Sequence, residues 1–248
     1  GTFTLPTQVT ITLPSAPPPP GPPPPCTVNT GATIEWIELN GGAAVAMGGA
    51  MILDSDWVQN TDDGWYDVDL AALGTQFCWY DQCETAITVG TNGAITFGDS
   101  HHAYGYSEPM PCAGVSACGN MQQGGGGLDV DGVLGVYWAD LNPDYGNNAE
   151  AVNGGNVFYG FPDANILGRE GHTLVIEYDA VMYWYSGGAR PDCTLTFEVI
   201  LAAATGDITY QYLNMCDEHL SHSTESIGFE DQTGTIGYQI SYGDIPAP

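Results

Sequence analysis

Apolar and polar residues alternate along the first stretch of the chain. Phe3, Leu5, Val9, Ile11 and Leu13 hold odd positions, with Thr7 among them, and Thr4, Pro6, Gln8, Thr10 and Thr12 lie between. Period two with one apolar side predicts a strand over Phe3–Leu13 that buries one face. A lone strand is unstable in water, so this one must find a sheet. The next segment is not a turn: between Pro17 and Pro25 only Gly21 is not proline. Such a run adopts extended polyproline II and reaches ~28 Å as a semi-rigid rod. That exceeds the radius of gyration of roughly 17 Å expected for the rest of the chain. The strand either enters another copy of the chain or returns to complete its own sheet. Self-insertion needs only a short turn, so the stiff spacer favours the first placement. The predicted organisation is a donor strand at 1–13, a polyproline linker at 14–25 and a β body at 26–248.

The body repeats the strand pattern. Strands are predicted at Thr33–Leu39, around Tyr66, Val68 and Leu70, and at Thr85–Val89 and Ala94–Phe97, which flank a Gly90-Thr91-Asn92-Gly93 hairpin turn. Val133–Trp138 is apolar throughout, as a central strand is. Asn156–Phe161, Thr173–Trp184, Thr194–Ala203, Ile208–Leu213, Ser226–Glu230 and Thr235–Tyr242 complete the series. Gly41–Met51 reads as a loop or a tightly packed strand, Asp54–Asp63 as an acidic loop, and His101–Gly127 as a surface excursion. No segment carries a helical period. The fold expected is all-β, an antiparallel sandwich of Ig-like or jelly-roll type with its N-terminal donor strand on the linker.

Charge and cysteines narrow the setting. The chain of 248 residues has 30 acidic residues and two basic ones, Arg169 and Arg190, for a net charge of −28. That excludes nucleic acid and anionic membrane surfaces as partners. It also makes copies repel, so assembly must rest on strong local contacts or bound cations. No apolar run is long enough for a membrane span. The chain begins directly in a strand and reads as a mature secreted product. Seven cysteines imply an oxidising, extracellular compartment. Cys78 with Cys83, Cys112 with Cys118, and Cys193 with Cys216 are the expected disulfides, which leaves Cys26 over. A zinc site is the weaker reading because no clean CxxC pair occurs. No N-glycosylation sequon is present.

The segments ITVGTNGAITFG, VLGVYWADLNP, NVFYG, LVIEYDAV, TFEVIL, TGDITYQY and SIGFEDQTGTIGYQISY run over roughly residues 77–243. The series is similar to a β-sandwich module of secreted and cell-surface bacterial proteins, some of them subtilisin-like proteases, and somewhat resembles nidogen-like domains. The most specific pieces are Gly90–Gly98, Tyr137–Pro143 and Ser226–Tyr238. The resemblance implies a non-catalytic accessory module. The N-terminal strand and linker resemble the donor segments of pilus subunits that assemble by donor-strand exchange. They differ from chaperone–usher pilins in the long proline rod and the extra cysteines. The chain as a whole therefore resembles a subunit of an extracellular helical fibril, with other copies of itself as partners and Phe3, Leu5, Val9, Ile11 and Leu13 as the donor side chains.

Candidate chemistry is sparse. Asp140, Asn142 and Asp144 place oxygen side chains at alternate positions in a loop, as in the first half of an EF-hand. Calcium is the ion they suit, though no cofactor is required. The competing reading is a turn whose side chains bond local backbone. His219, His222 and Cys216 form a weaker metal trio, and His101-His102 another pair. Glu177, Glu198 and Asp207 lie on strands that could line a cleft, and paired carboxylates suit a glycosidase. Without a second feature, and with no GxSxG, Walker or HExxH motif, no enzyme is expected. Tyr183-Trp184-Tyr185 offers a sugar platform or ordinary core and rim packing. The sequence leaves two functions: a structural subunit of an extracellular filament, or a monomeric carbohydrate-binding or adhesive module.

Overall fold

The computed structural model describes residues 8–12, 27–30, 36–39, 50–53, 55–80, 82–97, 110, 132–143, 155–162, 173–184, 193–215 and 225–243. Among them every regular element but one 3-10 turn at Ala71–Leu73 is a strand. In chain order these are β1 (Gln8–Thr12), β2 (Thr27–Thr30), β3 (Ala50–Met51), β4 (Trp65–Asp69), β5 (Phe77–Trp79), β6 (Gln82–Glu84), β7 (Ala86–Gly90) and β8 (Ala94–Phe97). The second half of the chain adds β9 (Val133–Trp138), β10 (Leu141–Asn142), β11 (Asn156–Gly160), β12 (Thr173–Tyr183), β13 (Thr194–Ala202), β14 (Asp207–Asn214), β15 (Ser226–Glu230) and β16 (Gly237–Tyr242).

The larger sheet runs β2-β1-β14-β13-β12-β11-β3, with β10 also paired to β12. The smaller runs β16-β15-β9-β8-β7-β4, and β5 and β6 form a separate hairpin. All pairings are antiparallel, and the two main sheets pack face to face as the expected sandwich. The shared core is apolar and aromatic: Ile176, Val199 and Tyr210 of the larger sheet meet Ile87, Ile95, Leu134 and Phe229 of the smaller.

Tyrosines tie the layers together. Tyr178 donates its hydroxyl to the Gly90 carbonyl at 2.7 Å, Tyr210 to Gly228 at 2.9 Å, and Tyr212 to Val136 at 2.6 Å. All three start on the larger sheet and end on backbone of the smaller. A fully buried hydroxyl needs a partner, and a carbonyl across the core supplies one without adding charge. Burial drives the phenol of each well above its ordinary pKa.

The predicted hairpin at Gly90–Gly93 forms. Gly93 has φ 78°, and a Cβ there would lie 2.2 Å from the Tyr137 carbonyl oxygen, so only glycine fits. Ala139 and Asp140 then carry the chain from β9 in one sheet to β10 in the other.

Several segments differ from the sequence-based expectation. Residues 36–39, the described part of the predicted strand Thr33–Leu39, have no strand partner among the described residues; carboxyl side chains take up the Ile37 and Leu39 amides. β2, β10 and the β5–β6 hairpin were not predicted, being too short to show a period, and β10 falls where a loop was expected. The hairpin is closed by a disulfide between Cys78 and Cys83, which face each other in register. No helix among the described residues is long and apolar enough to cross a membrane.

Candidate functional site

β1 sits between β14 and β2. Val9 lies opposite Tyr210 and Ile11 opposite Ile208, and both of those partners are completely buried. The same rows continue inward through Val199 and Ile176, and through Leu201 and Leu174. The odd positions of the first strand thus fall on the register rows of the main core, as its alternation predicts. Of the two placements open to this strand, the structure holds the closed one, in its own sheet. On its far side β1 pairs with β2, whose one strand partner among the described residues is β1. Thr12 lies opposite Thr27, which brings their Cα atoms within about 5.5 Å. Phe3, Leu5 and Leu13 lie outside the described residues.

The even rows lead to the outer face of the larger sheet. Gln8 is opposite Gln211, Gln211 opposite Glu198, and Glu198 opposite Glu177. Glu177, Glu198 and Gln211 are 1 %, 0 % and 0 % exposed, so this face is roofed rather than open to solvent. Part of the roof is the segment 36–39. Ile37 and Leu39 bury their side chains against Phe158, Val175 and Ile200, while Glu38 between them is exposed. The Leu39 amide donates to Glu177 Oε2 at 2.7 Å and the Ile37 amide to Glu198 Oε1 at 3.4 Å. The remaining oxygens, Glu177 Oε1 and Glu198 Oε2, are buried with no hydrogen-bond partner. Burial raises the Glu177 pKa to about 8 against the lowering effect of the Leu39 amide, and Glu38 and Asp179 add to the rise. Burial likewise pushes Glu198 well above the carboxylate range, with the charges of Glu177 and Glu38 behind it. These two residues therefore line no open cleft and cannot act as a glycosidase pair, which must reach substrate from both sides. Asp207, grouped with them on sequence, sits apart at the start of β14, where it is bonded to Thr205.

The calcium candidates lie where the chain crosses between sheets. Asp140 stands beside Asp62 and Asp63 of the acidic loop, and its pKa is raised to about 7 by burial and then by those two charges. Asp62 is raised to about 6 by burial and by Asp63, while a hydrogen bond from Asn142 opposes the shift. Buried Asn92 joins the parts: its amide donates to Asp63 Oδ1 at 3.0 Å, and its carbonyl oxygen accepts from the Leu141 amide at 2.7 Å. Among the described residues no three His, Cys, Asp or Glu side chains converge closely enough to hold a metal ion. Asp144 lies outside the described residues, so the pairing of Asp140 and Asn142 with the acidic loop is what the structure adds. Sequence reading missed Asp62 and Asp63 here because they lie far from Asp140 along the chain.

Other candidates separate. Tyr183 is buried, its hydroxyl bonded to those of Tyr137 and, at 3.0 Å, to Glu225 Oε1, whereas Trp184 is 43 % exposed at the strand end. Tyr183 is thus a core residue, and Tyr185, the third member of the run, lies outside the described residues. Cys193 is disulfide-bonded to a cysteine outside the described residues. Cys112, Cys118, Cys216 and Cys26 also lie outside them, as do His101, His102, His219 and His222.

A two-sheet, disulfide-bearing sandwich with no assembled catalytic group among the described residues defines a β-sandwich module. A family model described as NIDO related matches residues 52–246, most of the chain, and the chain belongs to that family. This agrees with the nidogen-like resemblance of its sequence. No curated protein and no solved structure matches the chain.

Proposed function

We propose that the chain is a structural subunit of an extracellular filament, in which residues 3–13 leave their own sheet and fill the same slot in another copy. One observation carries the reading. Thr12 and Thr27 are opposite each other in an antiparallel pair, a geometry that a two-residue turn closes. Residues 13–26 join them instead, and these include the run from Pro17 to Pro25. A spacer of ~28 Å reach is not needed to close so short a gap. In the exchanged arrangement the strand keeps the same register and the rod can extend between copies. Exchange is then favoured to the extent that the extended linker offsets the freedom lost on association. Donor and acceptor surfaces differ, so the contact runs head to tail and yields an open helix unless the rotation closes a ring. The seven cysteines and the Cys78–Cys83 disulfide support an oxidising, extracellular setting.

The test is to replace residues 13–26 by Asn-Gly. The short turn should lock the strand at home and give a stable monomer, while the native chain forms open-ended polymers. Polymers of equal length from both would reject the reading. The rival function, a monomeric adhesive or carbohydrate-binding module, is favoured by the closed position of β1 and would be upheld by a native chain that stays monomeric. Calcium is a second proposal. The charges of Asp62, Asp63 and Asp140 act on one another with no basic residue among the described ones; the three do not by themselves converge on an ion, and in this reading Asn142 and Asp144 complete the set that a cation would draw together.

A further inference from the structure

The segment 36–39 is held to the outer face by an unusual means. Its amides at Ile37 and Leu39 are satisfied by two side-chain carboxyls that face each other across β12 and β13. Directly opposed residues in an antiparallel pair have Cβ atoms about 4.5–5.5 Å apart. Each carboxyl spends one oxygen on the segment above it and leaves the other buried without a partner. We infer that Glu177 and Glu198 form a proton-dependent latch, which seats residues 36–39 while the pair is protonated and releases them when both carboxyls ionise.

The surroundings set the sign. The segment itself supplies one charged group, Glu38, whose carboxylate acts on both glutamates. β12 supplies Asp179 as a further negative charge. β11 presents Phe158, β12 Val175 and β13 Ile200, all apolar, and β14 presents Gln211, which is neutral. Arg169 and Arg190, the two basic residues of the chain, lie outside the described residues. Every charge described around the pair is thus of the same sign. One ionised carboxylate is well served by a backbone amide. Two at this separation repel, and each leaves an unpaired anionic oxygen in a dry site. Water must then enter, and the segment carrying Ile37 and Leu39 is the described part of the cover that rests on the pair. The buried rises at Glu177 and Glu198 agree with this direction.

The latch bears on assembly through β2. Trp36 comes shortly after β2 ends at Thr30, so release of the segment loosens the far wall of the slot for the first strand. That consequence rests on the exchange reading; the latch itself does not. Deprotonation would then ease strand exit and entry, and protonation would hold the slot closed.

The experiment is run with both glutamates intact and as the double variant, each in the short-turn chain that has Asn-Gly in place of residues 13–26 and is monomeric, so its outcome is separate from that of polymerisation. Amide hydrogen-exchange protection factors of Ile37 and Leu39, corrected for intrinsic base catalysis, are measured from pH 5 to pH 9 by NMR. They should fall at least about tenfold relative to amides within β12 and β13. In the Glu177→Gln, Glu198→Gln double variant, which mimics the protonated pair, they should not change. Constant protection with both glutamates intact, or an equal fall in the double variant, would overturn the latch. Should the variant not fold, the carboxyl carbons of the chain with both glutamates intact decide. Titration above neutral supports the latch, and midpoints near the ordinary ~4.3 for both glutamates reject it.

Discussion

The two faces of the larger sheet differ in the chemistry that meets the segments on them. On the inner face, β1 falls on rows of Ile208, Tyr210, Val199 and Leu201, and tyrosine hydroxyls reach neutral carbonyls of the opposite sheet. On the outer face, residues 36–39 rest on two glutamates. The inner-face rows that Val9 and Ile11 of β1 join carry no titratable carboxyl, whereas the amides of the roof rest on two. If the proposed latch holds, the strand and the roof respond separately to pH.

The comparison is broken most severely at Ile208. It is fully buried opposite Ile11, so Ile208→Ala, which adds no titratable group, should cost about 2–5 kcal/mol at every pH, measured by urea unfolding. A pH-dependent loss instead would mean that the inner face is not neutral.

The outer face should show the reverse. Glu177, raised to about 8, and Glu198, raised well above the carboxylate range, both by burial, titrate above their unfolded values. The folded protein then holds more protons than the unfolded chain between the ordinary glutamate range and those values, and stability falls as pH rises through that window. The melting temperature should drop by roughly 5 °C from pH 5 to pH 9, and the double Gln variant should lose much of that slope. A rise with pH would contradict the account.

A smaller effect is expected from Tyr210→Phe, which removes the hydroxyl's bond to the Gly228 carbonyl across the core. It should cost about 1 kcal/mol with no pH dependence. Least of all, calcium at the Asp62–Asp63–Asp140 corner should raise the melting temperature by about 2 °C. Asp140→Asn should abolish the rise. A melting curve that ignores both calcium and the variant would reduce Asp140 to a turn residue.

How far this was legible in the sequence depended on the range of the interactions. Alternation at Val9 and Ile11 and the apolar run Val133–Trp138 report burial locally, and both strands form where the pattern put them. The Gly90–Gly93 turn was equally local. The roof was hidden. Its Ile37 and Leu39 alternate like a strand, yet their partners are glutamates more than a hundred positions away. The one trace was a carboxylate deep inside each apolar run, Glu177 in LVIEYDAV and Glu198 in TFEVIL, which reads as catalytic as readily as structural. The polar positions of the first strand misled in the same way. Thr10 falls opposite Thr209, which is fully buried, so polarity there does not mean exposure.

The central claim is that the first strand belongs as readily to another copy as to its own. It is tested by deleting residues 1–13 and measuring mass in solution with and without a synthetic Phe3–Leu13 peptide. The account predicts polymers from the native chain, monomers from the deletion variant, and peptide binding by those monomers that Ile11→Asp in the peptide abolishes. A native chain that stays monomeric at every concentration, or a deletion variant that still polymerises, would contradict it.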